Sequence, residues 1–320
     1  MKILVTGGAG FIGSHLCERL ISEGHAVTAI DNFSTGRASN LVGLVGANRF
    51  VLVEGSILDV NTLKPLIENA DYVFHLAAAV GVFNIVNHPL DSLLTNIRGT
   101  ENVLEAAHAT NTPVFLTSSS EVYGKNSADS LQEQDDRILG SPTTLRWSYS
   151  EAKAIDESLT HAYHVERKLE TRIVRFFNVV GPRQLGSYGM VLPRFVQSAL
   201  IGDPIVIYGT GLQTRCFAHI EDVINAVNKV AFSPETIGEV LNIGNNKEVS
   251  MNELASKVLS LTNSKSEIRY ISYEEAYGEG FEDMERRVPN LEKIKNLVGW
   301  EPEKTLDEII LDIAVAMGKT

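Results

Sequence analysis

Tyr149 and Lys153 stand four residues apart in the stretch Tyr149-Ser150-Glu151-Ala152-Lys153. On a helix that spacing puts a phenol and an ammonium on one face. A free phenol has a pKa of about 10 and is a poor base at neutral pH. A neighbouring cation favours the phenolate, which can then take a proton from a substrate hydroxyl. Ser119, within the run Ser118-Ser119-Ser120, can hydrogen-bond the same reacting oxygen. A Y-x-x-x-K pair also arises by chance on solvated helices. What surrounds it decides its meaning.

The first twelve residues of interest are Lys2 to Gly13, KILVTGGAGFIG. Ile3, Leu4 and Val5 form an apolar run of the kind that makes a buried parallel strand. Gly7, Gly8 and Gly10 let the chain turn tightly and approach a ligand. Phe11, Ile12 and Leu16 begin a helix, and Gly13 lets it pack close to the strand. A helix start behind such a turn presents N–H groups to a pyrophosphate. The spacing is G-x-x-G-x-x-G, which alone is weak. Asp31 strengthens it, eighteen residues after Gly13 and at the end of a second apolar run. An acid there suits the ribose hydroxyls of NAD and repels the 2′-phosphate of NADP.

The chain has 320 residues, 44% of them hydrophobic and 21% charged, the balance of an ordinary globular protein. A net charge of −12, with no basic run, argues against a nucleic-acid partner. An anionic substrate would need a few placed arginines. Cys17 and Cys216 fit no metal or redox spacing, which suggests a reducing compartment. The chain enters its first strand at once, with no basic-plus-apolar leader, and no apolar stretch reaches membrane-spanning length. The expected location is the cytoplasm.

Asn32 to Arg37, with Ser34, forms a polar loop suited to an adenosine. Further strands are expected at Phe50 to Val53, Tyr72 to Leu76, Val114 to Thr117 and Thr171 to Phe177, with helices between them. Leu76, Ala77 and Ala78 end one strand with small residues that leave room for a flat ligand. The alternation predicts an α/β fold, a doubly wound parallel sheet of Rossmann type over residues 1–177. Residues 178–320 alternate less regularly and predict a smaller, interleaved, mixed α/β unit, with short strands at Ile205–Tyr208 and Val240–Ile243. Lys125 to Leu145 reads as a polar surface excursion.

In order, TGGAGFIG, DNFSTG, HLAA, SSSEVYG, YSEAK, RFFNVVGPR and GLQTRCF resemble the extended short-chain dehydrogenase/reductase family, in its nucleotide-sugar epimerase, dehydratase and decarboxylase branch. The resemblance spans essentially the whole chain. It implies a tightly held NAD, and oxidation of a sugar at C4 with Tyr149 as base. It gives Lys153 the nicotinamide ribose as well. It places Ser56, Ile57 and Asn96 at the cofactor. Ser56 departs from the family's usual acid, with Asp59 the available replacement. Asn178, Arg215 and Arg287 fall where the sugar and its diphosphate are held. Val191, Arg194, Tyr208 and Gln213 fall in the segments that hold the nucleotide base. A homodimer through two long helices is implied.

The catalytic cluster reads Ser119-Ser120-Glu121. Thymidine-diphosphate-sugar 4,6-dehydratases usually carry an Asp where Ser120 stands. Uridine diphosphate glucuronate decarboxylases carry Thr-Ser-Glu, and galactose-type 4-epimerases usually lack the glutamate and carry a lysine near Val80. GSPTTLRWSYSEAK and the segment from Tyr277 to Pro289 are also similar to the decarboxylase of the aminoarabinose pathway, which places Arg287 at decarboxylation. Ser120, Glu121 and Arg287 are then the groups to steady an enolate and supply a proton; alternatively, Arg287 pairs with a phosphate. A UDP-glucuronate decarboxylase is the leading expectation and a UDP-sugar 4-epimerase the alternative. A dehydratase or a non-catalytic NAD-binding scaffold ranks below both. His75 and His219 read as core histidines, and His161 and His164 as solvated, without a third metal ligand.

Overall fold

The computed structural model describes residues 1–81, 87–184, 186, 190–277, 284 and 286–318. Seven strands form one sheet: β1 (Lys2–Thr6), β2 (Ala26–Asp31), β3 (Phe50–Glu54), β4 (Tyr72–His75), β5 (Val114–Ser119), β6 (Thr171–Phe176) and β11 (Val240–Ile243), in the order 3-2-1-4-5-6-11. Every adjacent pair is parallel. The chain reverses its direction of travel across the sheet between β1 and β4, where doubly wound folds open a crevice.

The strand sequences explain the layering. Ile3 and Val5 of β1 join one core cluster, and Leu4 joins another on the opposite face. One face is covered by α1 (Phe11–Ser22) and α6 (Ile220–Phe232). On the other lie α2 (Val60–Glu68), α3 (Pro89–Thr110) and α4 (Ser148–Arg167), the last two packed side by side. Apolar residues on both faces of each strand read as continuous runs rather than alternation.

A further core joins α5 (Val191–Ile201), α7 (Met251–Thr262) and α10 (Leu306–Ala316) through Leu192, Phe195, Leu254, Val258 and Ile310. Three short pairs accompany it: β7 (Val179–Val180) with β10 (Ala218–His219), β8 (Ile205–Tyr208) with β13 (Ile268–Ile271), and β9 (Thr214–Cys216) with β12 (Glu248–Ser250). Two more helices, α8 (Tyr273–Tyr277) and α9 (Glu292–Val298), lie between β13 and α10 in the chain. Val240–Ile243 was expected among the smaller unit's strands. It joins the large sheet instead, because β6 offers it an open parallel edge. No described helix is long and apolar enough to cross a membrane.

The excursion after β5 is tied down more than its polarity suggests. Leu131 is buried, accepts the Asn290 N–H at 2.8 Å and donates its own N–H to Val288 at 2.8 Å. Buried Asn242 reaches the same place, donating to the Leu131 carbonyl at 2.9 Å and accepting the Tyr123 hydroxyl at 2.8 Å. This lattice holds the segment that carries Arg287. Asn242→Ala leaves buried polar groups unpaired and should cost about 2 to 3 kcal/mol in urea unfolding. A loss within error of zero would show that the lattice holds nothing.

Candidate active site

A cavity of about 830 Å³ opens over the carboxyl ends of the central strands. Its floor is the turn between β1 and α1. Gly7 has φ +70°, and a Cβ there would lie 2.8 Å from the Ala77 nitrogen. At Gly13 a Cβ would lie 2.2 Å from the Gly7 carbonyl oxygen. Both positions therefore require glycine if helix and strand are to stay this close. No side chain caps α1 at Gly10, and no acid sits in its first turn. The positive end of the helix is left for an anion. Asp31 accepts the Phe33 N–H at 2.8 Å and the Ala9 N–H at 2.9 Å. An ionised carboxylate has about four acceptor positions, so capacity remains for ribose hydroxyls. Burial first raises the Asp31 carboxyl, and those N–H groups oppose it. This cradle fits a dinucleotide.

Gly7, Gly10, Phe11, Ile12, Gly13, Asp31, Asn32, Ser34, Ser56, Ile57, Leu76, Ala77 and Ala78 all line the cavity. Three of the expected cofactor residues do not. The Arg37 side chain is exposed, and only its backbone N–H turns inward, to the Ala9 carbonyl at 3.0 Å. Asn96 accepts the Ala79 N–H at 2.8 Å and donates back at 3.3 Å, so it shapes the loop after β4 from behind. Lys153 is buried and donates to Asp156 at 3.0 Å. Asp59 is occupied as the N-cap of α2.

Ser119, Ser120, Glu121, Tyr149 and Arg287 meet at the other end of the cavity. Glu121 is gripped from both sides: Arg146 donates to Oε2 at 2.6 Å and Arg287 to Oε1 at 2.5 Å. Arg287 also donates to Asn178 Oδ1 at 2.8 Å, while its Nε is buried with no hydrogen-bond partner among the described residues. Burial alone would raise the Glu121 carboxyl, but the two guanidiniums hold it at about 2. Glu121 is therefore ionised at neutral pH, so within the Ser120, Glu121 and Arg287 group it is not the member that supplies a proton.

Tyr149 departs from expectation as well. Burial first, then the Glu121 and Asp156 carboxylates, push its phenol above the ordinary value, and a hydrogen bond with Ser119 opposes them. Lys153, the cation expected to lower it, donates to Asp156.

The wide end holds the remaining residues. The Arg194 guanidinium lies 4.2 Å from the Tyr208 ring centroid and donates to its hydroxyl at 2.5 Å. Gln213 donates to the Tyr208 carbonyl at 2.8 Å, and Val191 and Arg215 complete the wall. Asn178 lines the cavity, yet its amide is engaged with Arg287 and the Cys216 carbonyl. The glycine-bearing segment expected beside Arg287, residues 278–283, lies outside the described residues. Two site residues escaped the sequence reading. Arg146 stood within a recognised stretch, but nothing local names Glu121 as its partner. Asp156 shares the helical face of Lys153, and that spacing was its only signal. His164, expected to be solvated, is half-buried and bonds the Leu169 carbonyl at 2.9 Å.

Residues 3–244 match the model of the NAD dependent epimerase/dehydratase family, and the chain belongs to that family. It is 40% identical over 308 residues to the UDP-N-acetyl-alpha-D-glucosaminuronate decarboxylase of Bacillus cytotoxicus, covering 96% of this chain and 94% of that one. It is 36% identical to UDP-glucuronic acid decarboxylase 1 of Xenopus tropicalis, covering 96% and 70% of the two chains. Among solved structures, the UDP-glucuronic acid 4-epimerase of Bacillus cereus, crystallised with UDP-glucuronic acid and NAD, superposes with a TM-score of 0.89 at 29% identity over 99% of each chain.

A depressed carboxyl stabilises the fold above its unfolded pKa and loses that contribution as pH falls through the folded value. For Glu121 the window runs from 4.5 down to about 2. Thermal melts between about pH 6 and pH 3 should show wild-type protein losing more stability than Glu121→Gln. Parallel curves would contradict the clamp.

Proposed function

We propose that this protein is an NAD-dependent decarboxylase of a uridine-diphosphate uronic acid, either glucuronate or its 2-acetamido counterpart. The observation that carries this reading is the pair of buried guanidiniums on one carboxylate. Arg146 and Arg287 grip the two oxygens of the Glu121 carboxylate in a poorly solvated place. The buried Arg287 Nε has no hydrogen-bond partner among the described residues. A neutral hexose brings no anion to that donor, whereas a uronic acid supplies a carboxylate. The decarboxylase relatives support the same reading, and the Bacillus cytotoxicus enzyme brings in the 2-acetamido acid.

The first turn of α1 would hold the pyrophosphate and Asp31 the adenosine ribose. Bound NAD⁺ supplies the hydride acceptor and a positive ring beside the phenol. Ser119 orients the C4 hydroxyl, and Tyr149 takes its proton. The resulting C4 ketone stands β to the carboxylate. The C5–C6 bond then breaks, its electron pair passes into the C4–C5 enolate, and carbon dioxide leaves. Arg287 first orients the carboxylate, then balances the enolate charge. Ser120 is the hydroxyl nearest this role for delivering a proton to C5, since Glu121 stays ionised. Arg194 and Tyr208 would enclose the base, and Arg215 the diphosphate.

A 4-epimerase of the same acid is the second reading, supported by the Bacillus cereus likeness. A homodimer through α3 and α4 follows from family resemblance, and the exposed Ile155 and Val165 on α4 suit it. The two free, buried cysteines support a reducing, cytoplasmic location.

With NAD present, carbon dioxide should be released from UDP-glucuronate or UDP-N-acetylglucosaminuronate. Interconversion of C4 epimers without loss of mass would replace the first reading by the second. Tyr149→Phe should lower turnover about 10³-fold. Arg287→Ala should lower carbon dioxide release about 10²-fold while NAD reduction by the same substrate persists. Equal loss of both would assign Arg287 to binding alone.

A further inference from the structure

Lys153 and Asp156 form an ion pair that is almost wholly buried, with side chains 3% and 0% exposed. They sit one turn apart on α4, behind the cavity wall. A chain of hydrogen bonds runs from β1 and β4 to Thr100, beside the pair. Thr6 Oγ1 accepts the N–H groups of Leu76 and Ala77 at 3.2 and 3.1 Å. Both of its lone pairs are then engaged, so its hydrogen goes to His75 Nδ1, 2.8 Å away. That assigns the ring proton to Nε2, which donates to Thr100 Oγ1 at 3.1 Å. Burial first, then Lys153, holds His75 near 3, so the ring is neutral. The Thr100 hydroxyl is left to act as a donor; burial raises the Asp156 carboxyl, Lys153 and then Thr100 oppose it, and Asp156 Oδ1 has no hydrogen-bond partner among the described residues.

An ammonium has three N–H groups. Asp156 takes one and leaves two for other acceptors. We propose that Asp156 is a positioning residue for this chemistry: it pins Lys153 by one N–H and cancels its charge, so that Lys153 serves the cofactor ribose and Tyr149 from a fixed place rather than through a net positive field. The proposal rests on the Tyr149-based oxidation described above.

Other charges face the pair. His75 approaches from β4. Glu157, next on α4, is matched by Arg175 of β6 at 2.7 Å. Glu121 lies beyond Tyr149 with Arg146 and Arg287 on it. Removing Asp156 therefore changes the net charge beside Tyr149 by one, while the other described acids nearby, Glu121 and Glu157, stay held by arginines.

The test is a double-mutant cycle on NAD affinity, read by calorimetry and independent of turnover. Asp156→Asn should weaken NAD binding about tenfold when Lys153 is present, and have no further effect in Lys153→Met. Equal weakening in both backgrounds, or none in either, would overturn the proposal. The double variant replaces a buried ion pair by neutral groups and should fold even if Asp156→Asn alone does not. In that case, a double variant binding NAD as Lys153→Met does supports the proposal, and weaker binding overturns it. A second reading comes from the pH profile. The acid limb of kcat/KM should move down by about half a unit in Asp156→Asn, because an anion beside the phenol is gone. An unmoved or raised limb contradicts charge cancellation. If Tyr149→Phe retains turnover, the oxidation itself fails, while the affinity cycle still reports on Asp156.

Discussion

The Glu121 carboxylate between Arg146 and Arg287 is the interaction on which the chemical end of the molecule depends. Each partner comes from a different part of the chain. Glu121 follows β5, Arg146 precedes α4, and Arg287 arrives from the segment laced to Leu131 and Asn242. Burying three charged groups is costly unless their geometry is good. Here it is met by hydrogen bonds at 2.6 and 2.5 Å on the two oxygens of one carboxylate. The result is a fixed pair of guanidiniums beside Ser119 and Tyr149. A charge that is already in place needs no reorganisation when an anion arrives.

The rest of the site divides along the same logic. The glycine turn and the uncapped start of α1 offer backbone donors to phosphates. Asp31 offers acceptors to sugar hydroxyls. Tyr149 sits between these and the arginine clamp, in a place where burial and two carboxylates resist its ionisation. Asp156 is one of those carboxylates, and it also holds Lys153. The surroundings of the phenol thus favour its protonated form.

Much of this was legible in the amino-acid sequence. The strands of the large sheet announced themselves as apolar runs, since strands buried on both faces have no alternation to hide in. The glycine spacing, Asp31 and the Tyr149–Lys153 pair are local patterns, and local patterns can be read directly. The failures have a common cause. Arg37 and Asn96 were placed by position alone, and side-chain direction decided otherwise. Lys153 was read as a free cation because its partner Asp156 carries no motif. The clamp on Glu121 could not be read because Arg146 and Arg287, 25 and 166 residues away, meet it only in three dimensions. The strand at Val240–Ile243 was found, but which sheet would receive it is a matter of topology.

The central claim is that the arginine clamp receives the carboxylate of an acid sugar. A crystal structure with NAD and UDP-glucuronate bound to Tyr149→Phe, which should stall before oxidation, tests it most directly. The sugar carboxylate is expected within hydrogen-bond distance of Arg287, with C4 facing Ser119 and residue 149. A carboxylate turned to solvent, with Arg287 on the diphosphate, would contradict it.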